Sequence, residues 1–258
     1  MSQNFFQLLK NENPLKIVGT INAFSALLAK RKGHQAIYLS GAGVANASYG
    51  LPDLALTSRD NVLEDLRRIK GVCDLPILVD CDTGWGSGLN ISKTIKEMIN
   101  AGADAVHLED QVSEKRCGHR PGKEIVSSDE MEDRIKAAKD SVDDKNFMLM
   151  ARTDAFSKEG ISSVIDRSNA YIEAGADSIF PEAITQLDDY LEISKNVNAP
   201  ILANITEFGL TPMFEINELK NSGVKMILYP LSAFRAMSKA AEAVSYTHLT
   251  LPTTSGGG

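Results

Sequence analysis

Residues 101–106 read Ala-Gly-Ala-Asp-Ala-Val, and residues 174–179 read Ala-Gly-Ala-Asp-Ser-Ile. In both copies a segment with helical spacing, 89–100 or 162–173, runs into the glycine, and an apolar run follows at once. Glycine takes up the positive φ that ends a helix at no steric cost. A helix-to-strand turn that repeats in this way is typical of stacked βα units, so the two copies favour an alternating α/β fold.

Eight short apolar runs with little polar alternation are spread along the chain, and such runs suit strands that are buried on both faces of a parallel sheet. They cover residues 17–21, 36–39, 76–79, 105–108, 147–150, 178–180, 200–203 and 225–229. Eight strands that alternate with helices predict the α/β class and a (β/α)8 TIM-type barrel. An open doubly wound sheet is the alternative. It is weakened because no glycine-rich dinucleotide fingerprint follows the first run.

Composition limits the classes of function. The chain has 258 residues and a formal net charge of −7, which argues against a general binder of nucleic acid or of anionic membranes. Its three cysteines are too few for a disulfide framework and suit a reducing cytosol. We see no secretory signal and no apolar stretch near the ~20 residues of a membrane span. The sequence therefore predicts a cytoplasmic protein.

Polar residues follow most of the apolar runs directly. In a barrel, all of these positions lie at the C-terminal ends of the strands, where active sites are built. Taken singly, a polar strand end is usually a helix cap, but six ends that supply acids, an arginine and an amide favour a site. The residues are Ser40 and Gly41, Asp80 and Asp82, Glu109 and Asp110, Arg152 and Asp154, Glu182, Asn204 and Thr206.

Asp80 and Asp82 are the candidate metal carboxylates. Because the two residues lie two positions apart on an extended strand, their side chains point the same way and can bind one hard cation together. Mg2+ prefers one or two carboxylates, with waters and substrate oxygens completing its coordination. The plainer interpretation is that Asp82 caps a helix. The next strand ends in Glu109 and Asp110, which are further acids able to hold metal-bound waters or to pair with loop cations.

A loop of roughly fourteen residues carries Lys-Arg-Cys-Gly-His at 115–119. Its length exceeds that of ordinary α/β connections and favours a mobile lid. Neighbouring cations and His119 are expected to lower the pKa of the Cys117 thiol, and Gly118 is expected to let the chain turn sharply beside a ligand. A solvated basic loop with a spectator cysteine is the alternative. Arg152 and Arg235 suit bidentate carboxylate binding, which together with Mg2+ implies an anionic, polycarboxylate substrate.

Taken together, these segments resemble the isocitrate lyase and phosphoenolpyruvate mutase superfamily, and within it the bacterial 2-methylisocitrate lyases. The resemblance runs over about residues 13–244, and its most specific part is the cysteine motif at 115–119, which marks the lyase branch. The stretches that carry it are 38–44, 51–53, 115–121, 150–154, 180–183, 201–209 and 229–237.

The resemblance implies a Mg2+-dependent carbon–carbon lyase that cleaves 2-methylisocitrate to pyruvate and succinate, in the 2-methylcitrate route of propionate catabolism. It also implies a homotetramer that works on a small tricarboxylate, with no nucleic-acid or membrane partner. The alternatives are a superfamily member that acts on oxaloacetate, isocitrate or a phosphonate, and an inactive barrel.

The resemblance also implies a role for individual residues. Cys117 would be the general acid, supported by Lys115 and His119, and Asp80 and Asp82 would serve the metal. The substrate would contact Ser40, Gly41, Ala42, Asp53, Gly118, Arg152, Glu182, Asn204, Thr206 and Arg235. Ala42 departs from the family pattern, which has glycine at this position.

After Val244 the resemblance stops. We expect one barrel domain over residues 1–244 and a disordered tail over 245–258 that has no helical period. The further C-terminal helices that family members carry, one of them exchanged between subunits, would then be missing.

Overall fold

The computed structural model describes residues 4–250, in which eight parallel strands form one sheet in the order β6-β5-β4-β3-β2-β1-β8-β7. An isolated parallel bridge between Ile179 and Ile201 joins β6 to the start of β7, which brings the two ends of the sheet together. The predicted (β/α)8 barrel is confirmed. The strands are β1 Leu15–Gly19, β2 Ala36–Leu39, β3 Ile77–Asp80, β4 Ala105–Glu109, β5 Met148–Thr153, β6 Ser178–Pro181, β7 Leu202–Asn204 and β8 Met226–Tyr229.

Helices separate the strands. They are α1 Phe5–Asn11, α2 Ala23–Arg31, α3 Gly41–Gly43, α4 Arg59–Lys70, α5 Gly88–Asn100, α6 Ser128–Lys139, α7 Phe156–Glu173, α8 Leu187–Asn196, α9 Ile216–Asn221 and α10 Ser232–Thr250. The two helices expected before the repeated glycines are α5 and the second part of α7, which kinks at Gly160. Gly102 and Gly175 have φ values of 98° and 116°, as the repeated turn requires.

Side chains of each strand alternate between two apolar layers. In β2, Ala36 and Tyr38 lie in the barrel interior, whereas Ile37 and Leu39 lie in the layer between the strands and the outer helices. Phe5 of α1 is fully buried and packs in the interior cluster, as does Leu8. Because both faces of the sheet are covered, almost all strand residues are buried. The polar residues lie at the C-terminal ends of the strands, at the mouth of the barrel.

The C-terminal region differs from the sequence prediction. Helix α10 continues to Thr250, so residues 245–250 are helical where the sequence predicted a segment without helical period. Residues 251–258 lie outside the described residues, and the domain boundary at Val244 stays a prediction. Within residues 4–250, every helix is too short or too polar to cross a membrane.

Candidate active site

Three buried carboxylates meet at the C-terminal ends of β3 and β4. Asp80, Asp82 and Glu109, here called the acidic cluster, each offer an oxygen, and these oxygens lie within 4.8 Å of one another. Asp80 ends β3 and Glu109 ends β4, but Asp82 lies beyond the strand with a φ of 46°. The predicted convergence of Asp80 and Asp82 is present. Its cause is a left-handed residue after the strand rather than strand alternation.

Hydrogen bonds hold Asp80 in place. The Gly41 N–H donates to its Oδ2 at 3.0 Å, and the Asp82 N–H donates to its Oδ1 at 3.1 Å. The Tyr38 hydroxyl, which also lies 3.0 Å from His107 Nε2, donates to Oδ2 at 3.3 Å. Burial by itself raises the pKa of Asp80, but His107, Lys115 and Arg152 outweigh it and lower the pKa to about 2. Asp80 is therefore a fixed anion.

The negative charges of Asp82 and Glu109 are balanced less well by neighbouring groups than that of Asp80. Burial raises the pKa of Asp82 to about 6 and raises that of Glu109 well above its usual range, with neighbouring carboxylates acting in the same direction. Glu109 Oε1 is buried and has no hydrogen-bond partner among the described residues. Carboxylate oxygens are the ligands that Mg2+ prefers, and a divalent cation would satisfy this oxygen and the local excess of negative charge. The residues present therefore fit such an ion.

The active-site loop, residues 111–126, rises from a short ribbon in which Gln111 pairs with Ile125. The Gln111 side chain exchanges two hydrogen bonds with the backbone of Arg116, at 2.9 and 3.0 Å. Lys115 is buried, and its Nζ lies 2.6 Å from Asp53 Oδ1 and 2.8 Å from Asp82 Oδ1. The loop therefore rests over the acidic cluster in a closed position.

His119 anchors the loop on the opposite side of the mouth. The Leu210 N–H donates to its Nδ1 at 3.0 Å, and its Nε2 lies 3.2 Å from Glu182 Oε1. Burial lowers the pKa of His119, so the ring is neutral. Since Nδ1 accepts a hydrogen bond, the proton resides on Nε2 and is donated to Glu182.

Cys117 lies between these two anchors and lines the central cavity. The sequence prediction of a lowered thiol pKa is wrong. Burial raises the pKa of Cys117, and the Asp53 and Glu182 carboxylates act in the same direction. The cations of the motif do not reverse this because Lys115 is already paired with two carboxylates. Cys117 is therefore a protonated thiol at neutral pH.

Gly118 is required for space. A Cβ at this position would collide with Arg152 and with Glu182. Its φ lies outside the left-handed region, so the sharp turn expected from the sequence is not the reason for this glycine. The loop backbone thus packs directly against the guanidinium of Arg152.

Arg152 forms the wall of the cavity beneath Gly118. Its Nε donates to Asp154 Oδ2 at 2.9 Å, and its other nitrogens lie 3.2 Å from Glu109 Oε2 and 3.4 Å from Glu182 Oε2. Asp154 also accepts from the buried Lys123 at 2.9 Å. Burial alone lowers the pKa of Arg152, but these carboxylates raise it above its usual value, so the guanidinium keeps its charge.

The far wall of the cavity is formed beyond β7. The Asn204 amide lies 3.3 Å from both oxygens of Glu182. Arg235 donates to Thr206 Oγ1 at 2.8 Å and to Glu207 Oε2 at 2.5 Å. Arg152 and Arg235 both line one cavity of about 310 Å³, to which Arg116 and Arg120 of the active-site loop also contribute.

Most of the predicted site residues line this cavity. Gly41 and Asp82 do not line it directly, but they contact Asp80 and Lys115 respectively. The roles assigned to these residues stay predictions. Those at the cavity surface are Ser40, Ala42, Asp53, Asp80, Lys115, Cys117, Gly118, His119, Arg152, Glu182, Asn204, Thr206 and Arg235.

Sequence reasoning missed Tyr38, His107 and Lys123. Tyr38 lies two residues before Ser40 on a strand, so period-two alternation would have placed it on the inner face. His107 lies two residues before Glu109, and the same argument applies to it. Lys123 gave no such signal, because it reaches Asp154 only through the path of the active-site loop.

One cavity at the mouth of the barrel is lined by Asp80 of the acidic cluster, by Cys117 of the closed loop and by Arg152 and Arg235, and this arrangement defines an enzyme that handles a small anionic molecule. The sequence model of the phosphoenolpyruvate phosphomutase family matches residues 5–248. The chain belongs to this family, in the PEP mutase/isocitrate lyase superfamily.

Named relatives narrow the class. The 2-methylisocitrate lyase of Escherichia coli (strain K12) is 59% identical over 241 residues, which are 93% of this chain and 81% of that protein. That of Salmonella typhimurium (strain LT2) is 58% identical over 248 residues, 96% of this chain and 84% of the relative. A structure of oxaloacetate acetylhydrolase with 3,3-difluorooxalacetate has a TM-score of 0.90 at 29% identity and covers 100% of this chain and 88% of that one. The chain is a carbon–carbon lyase.

Proposed function

We propose that this lyase cleaves 2-methylisocitrate to pyruvate and succinate with the help of Mg2+. The observation that carries the proposal is that Cys117 and Asp80 of the acidic cluster line the same cavity, with Lys115 of the same loop reaching Asp82. Two relatives at 58% and 59% identity are 2-methylisocitrate lyases, which supports this substrate.

Asp80, Asp82 and Glu109 are the residues that would hold the metal. When bound there, Mg2+ would supply Lewis-acid polarisation of substrate oxygens. Glu109 adds a third carboxylate to the pair that the sequence pointed to. Its Oε1 is buried and has no hydrogen-bond partner among the described residues, so this oxygen is available as a metal ligand.

The cleavage moves two protons: the substrate hydroxyl gives up its proton to a base as it becomes the ketone of pyruvate, and the carbanion of the succinate part takes up a proton from an acid. Breaking the carbon–carbon bond leaves a carbanion beside a carboxylate on the succinate part. Because the pKa of Cys117 is raised, the thiol holds a proton at neutral pH and donates it to that carbon as general acid. Arg152, held on both sides by carboxylates, keeps a positive charge near the developing negative charge.

The closed loop positions the thiol and shields the cavity. Lys115 and His119 fasten it to opposite walls, so the thiol between them is presented to the cavity while water is excluded. Arg152 and Arg235 suit the carboxylates of a tricarboxylate substrate.

We further propose that the enzyme works in the cytoplasm, as a homotetramer, in the 2-methylcitrate route of propionate catabolism. Exposed apolar side chains on α2 and α10, among them Phe24 and Met237, support burial against other subunits.

A second candidate is cleavage of oxaloacetate, favoured by the TM-score of 0.90 to oxaloacetate acetylhydrolase. One assay separates the candidates: release of pyruvate from 2-methylisocitrate, of glyoxylate from isocitrate and of oxalate from oxaloacetate, each in MgCl2 and in EDTA. We expect pyruvate from 2-methylisocitrate to form fastest and EDTA to abolish it. Faster release of oxalate, or turnover that persists in EDTA, would contradict the proposal.

A further inference from the structure

Asp110 is a fully buried carboxylate just outside the cavity, and it accepts hydrogen bonds from several sides. The Thr153 hydroxyl donates to it at 2.7 Å, the Asp154 N–H at 2.8 Å and the Tyr171 hydroxyl at 2.8 Å. Arg167 Nη1 lies 3.5 Å away, and this arginine is itself held by Glu159. A carboxylate with this many donors is locked in one orientation.

The backbone of Asp110 ties together the strands and the loop. Its N–H donates to the Arg152 carbonyl at 3.2 Å, and its carbonyl accepts from the Val126 N–H at 2.8 Å. The residue therefore contacts β5 on one side and the end of the active-site loop on the other. Helix α7 supplies the outer donors, Tyr171 and Arg167, so the network runs from the outer helix layer to the barrel mouth.

Asp154 carries this network into the cavity. Its N–H is fixed by Asp110, while its side chain accepts from Arg152 Nε at 2.9 Å and Nη2 at 3.2 Å. The same carboxylate accepts from Lys123, which lies near the base of the active-site loop. A displacement of Asp154 would therefore shift the Arg152 guanidinium and loosen the loop together.

We propose that Asp110 is a positioning residue that aims Arg152 into the cavity and docks the base of the active-site loop, acting through Asp154. Tyr171 and Arg167 hold Asp110 from outside the barrel. The kinetic part of this inference rests on the proposed function, since it takes Arg152 as a substrate ligand. The effect on the loop does not depend on which substrate is used.

Two tyrosines provide a matched test. Tyr171 on α7 and Tyr190 on α8 are both fully buried, but only Tyr171 donates to Asp110, whereas the Tyr190 hydroxyl has no hydrogen-bond partner in the described part of the chain. We expect Tyr171→Phe to lower kcat/KM for 2-methylisocitrate roughly fivefold to tenfold, which is about the effect of losing one typical hydrogen bond. Tyr190→Phe should leave kcat/KM unchanged. Asp110→Asn, which replaces one of the two acceptor oxygens with an NH2 donor, should lower kcat/KM about 100-fold, as expected when a substrate ligand is misplaced.

Hydrogen–deuterium exchange supplies a readout that is independent of catalysis. Tyr171→Phe should speed exchange over residues 111–126 while the peptides of β1 and β2 exchange as in the wild type, and Tyr190→Phe should not change the loop. The proposal would be overturned if the two tyrosine variants had the same kcat/KM and the same exchange over residues 111–126. It would also be overturned if the Asp110→Asn variant had a lower Tm but unchanged kcat/KM and loop exchange. If the wild type fails to cleave 2-methylisocitrate, the proposed function fails, and loop exchange still decides the role of Asp110.

Discussion

The two ends of the barrel use aspartates in opposite ways. At the N-terminal end, each copy of the repeated turn places one carboxylate between a lysine of the helix that leads into the neighbouring strand and a backbone N–H at the start of that strand. Asp177 accepts from Lys139 at 2.9 Å and from the Leu149 N–H at 2.9 Å. Asp104 makes the same pair of contacts, at 3.1 and 3.0 Å, with a lysine of α4 and the first N–H of β3. Each of these two carboxylates has a lysine and a backbone N–H as partners of its own.

At the C-terminal end the acids face one another. The acidic cluster brings three carboxylates within 4.8 Å, and Glu109 Oε1 lacks any hydrogen-bond partner within residues 4–250. Gathering like charges in a buried place destabilises the fold unless a ligand relieves it. The aspartates at the N-terminal end of the barrel therefore stabilise the fold. The carboxylates at the C-terminal end form a binding site and destabilise the fold when no ligand is bound.

The strongest test of this division replaces one cysteine at each end. Cys117→Ser should lower kcat by about 100-fold or more, because a general acid contributes that much, while the free energy of unfolding changes little. Cys73→Ser is the matched control: this buried thiol lies in the turn between α4 and β3, near the Ala26 carbonyl. It should reduce stability by about 1 kcal/mol and leave kcat unchanged. Equal kcat in the two variants would remove the thiol from the mechanism.

The second test measures how much the ionised Asp82 carboxylate lowers the free energy of unfolding. Its pKa is about 6 in the folded protein against an ordinary 3.8, so between these values the folded state binds more protons than the unfolded state. Stability at this residue therefore falls as pH rises through that window, by about 3 kcal/mol in total. Asp80 acts in the other direction and at lower pH, because its pKa of about 2 adds stability that is lost only as pH falls below 3.8.

Comparison of the wild type with Asp82→Asn isolates this contribution. Burial lowers the pKa of His107 to about 4, which makes stability rise over part of the same pH range in both proteins. In EDTA we expect the variant to gain about 3 kcal/mol over the wild type as pH rises from 4 to 7, measured by urea unfolding. Saturating MgCl2 should erase the gain, since the ion stabilises the ionised carboxylate only in the wild type. A difference that does not vary with pH would rule out the raised pKa.

The fold could be predicted from the sequence because its signals are local. All eight apolar runs became strands, since a strand buried on both faces must be apolar throughout. The positions of the site residues followed from the same rule, because every C-terminal strand end of a barrel lies at one mouth. Local reasoning failed for the Cys117 pKa, which depends on burial and on the carboxylates that already hold Lys115. It also missed Lys123, whose contact with Asp154 is set by the path of a long loop.

The smallest expected effect tests the stabilising end on its own. Asp177→Ala removes the acceptor of the Leu149 N–H and the partner of Lys139, which should cost about 2 kcal/mol of unfolding free energy, most of it from the unpaired N–H. Asp104→Ala removes the same pair of contacts in the earlier copy of the turn and should cost a similar amount. Both variants should keep the wild-type kcat and KM, because neither residue lies near the mouth. A loss of activity at constant stability in either variant would show that the two ends of the barrel are coupled, and the division between them would then fail.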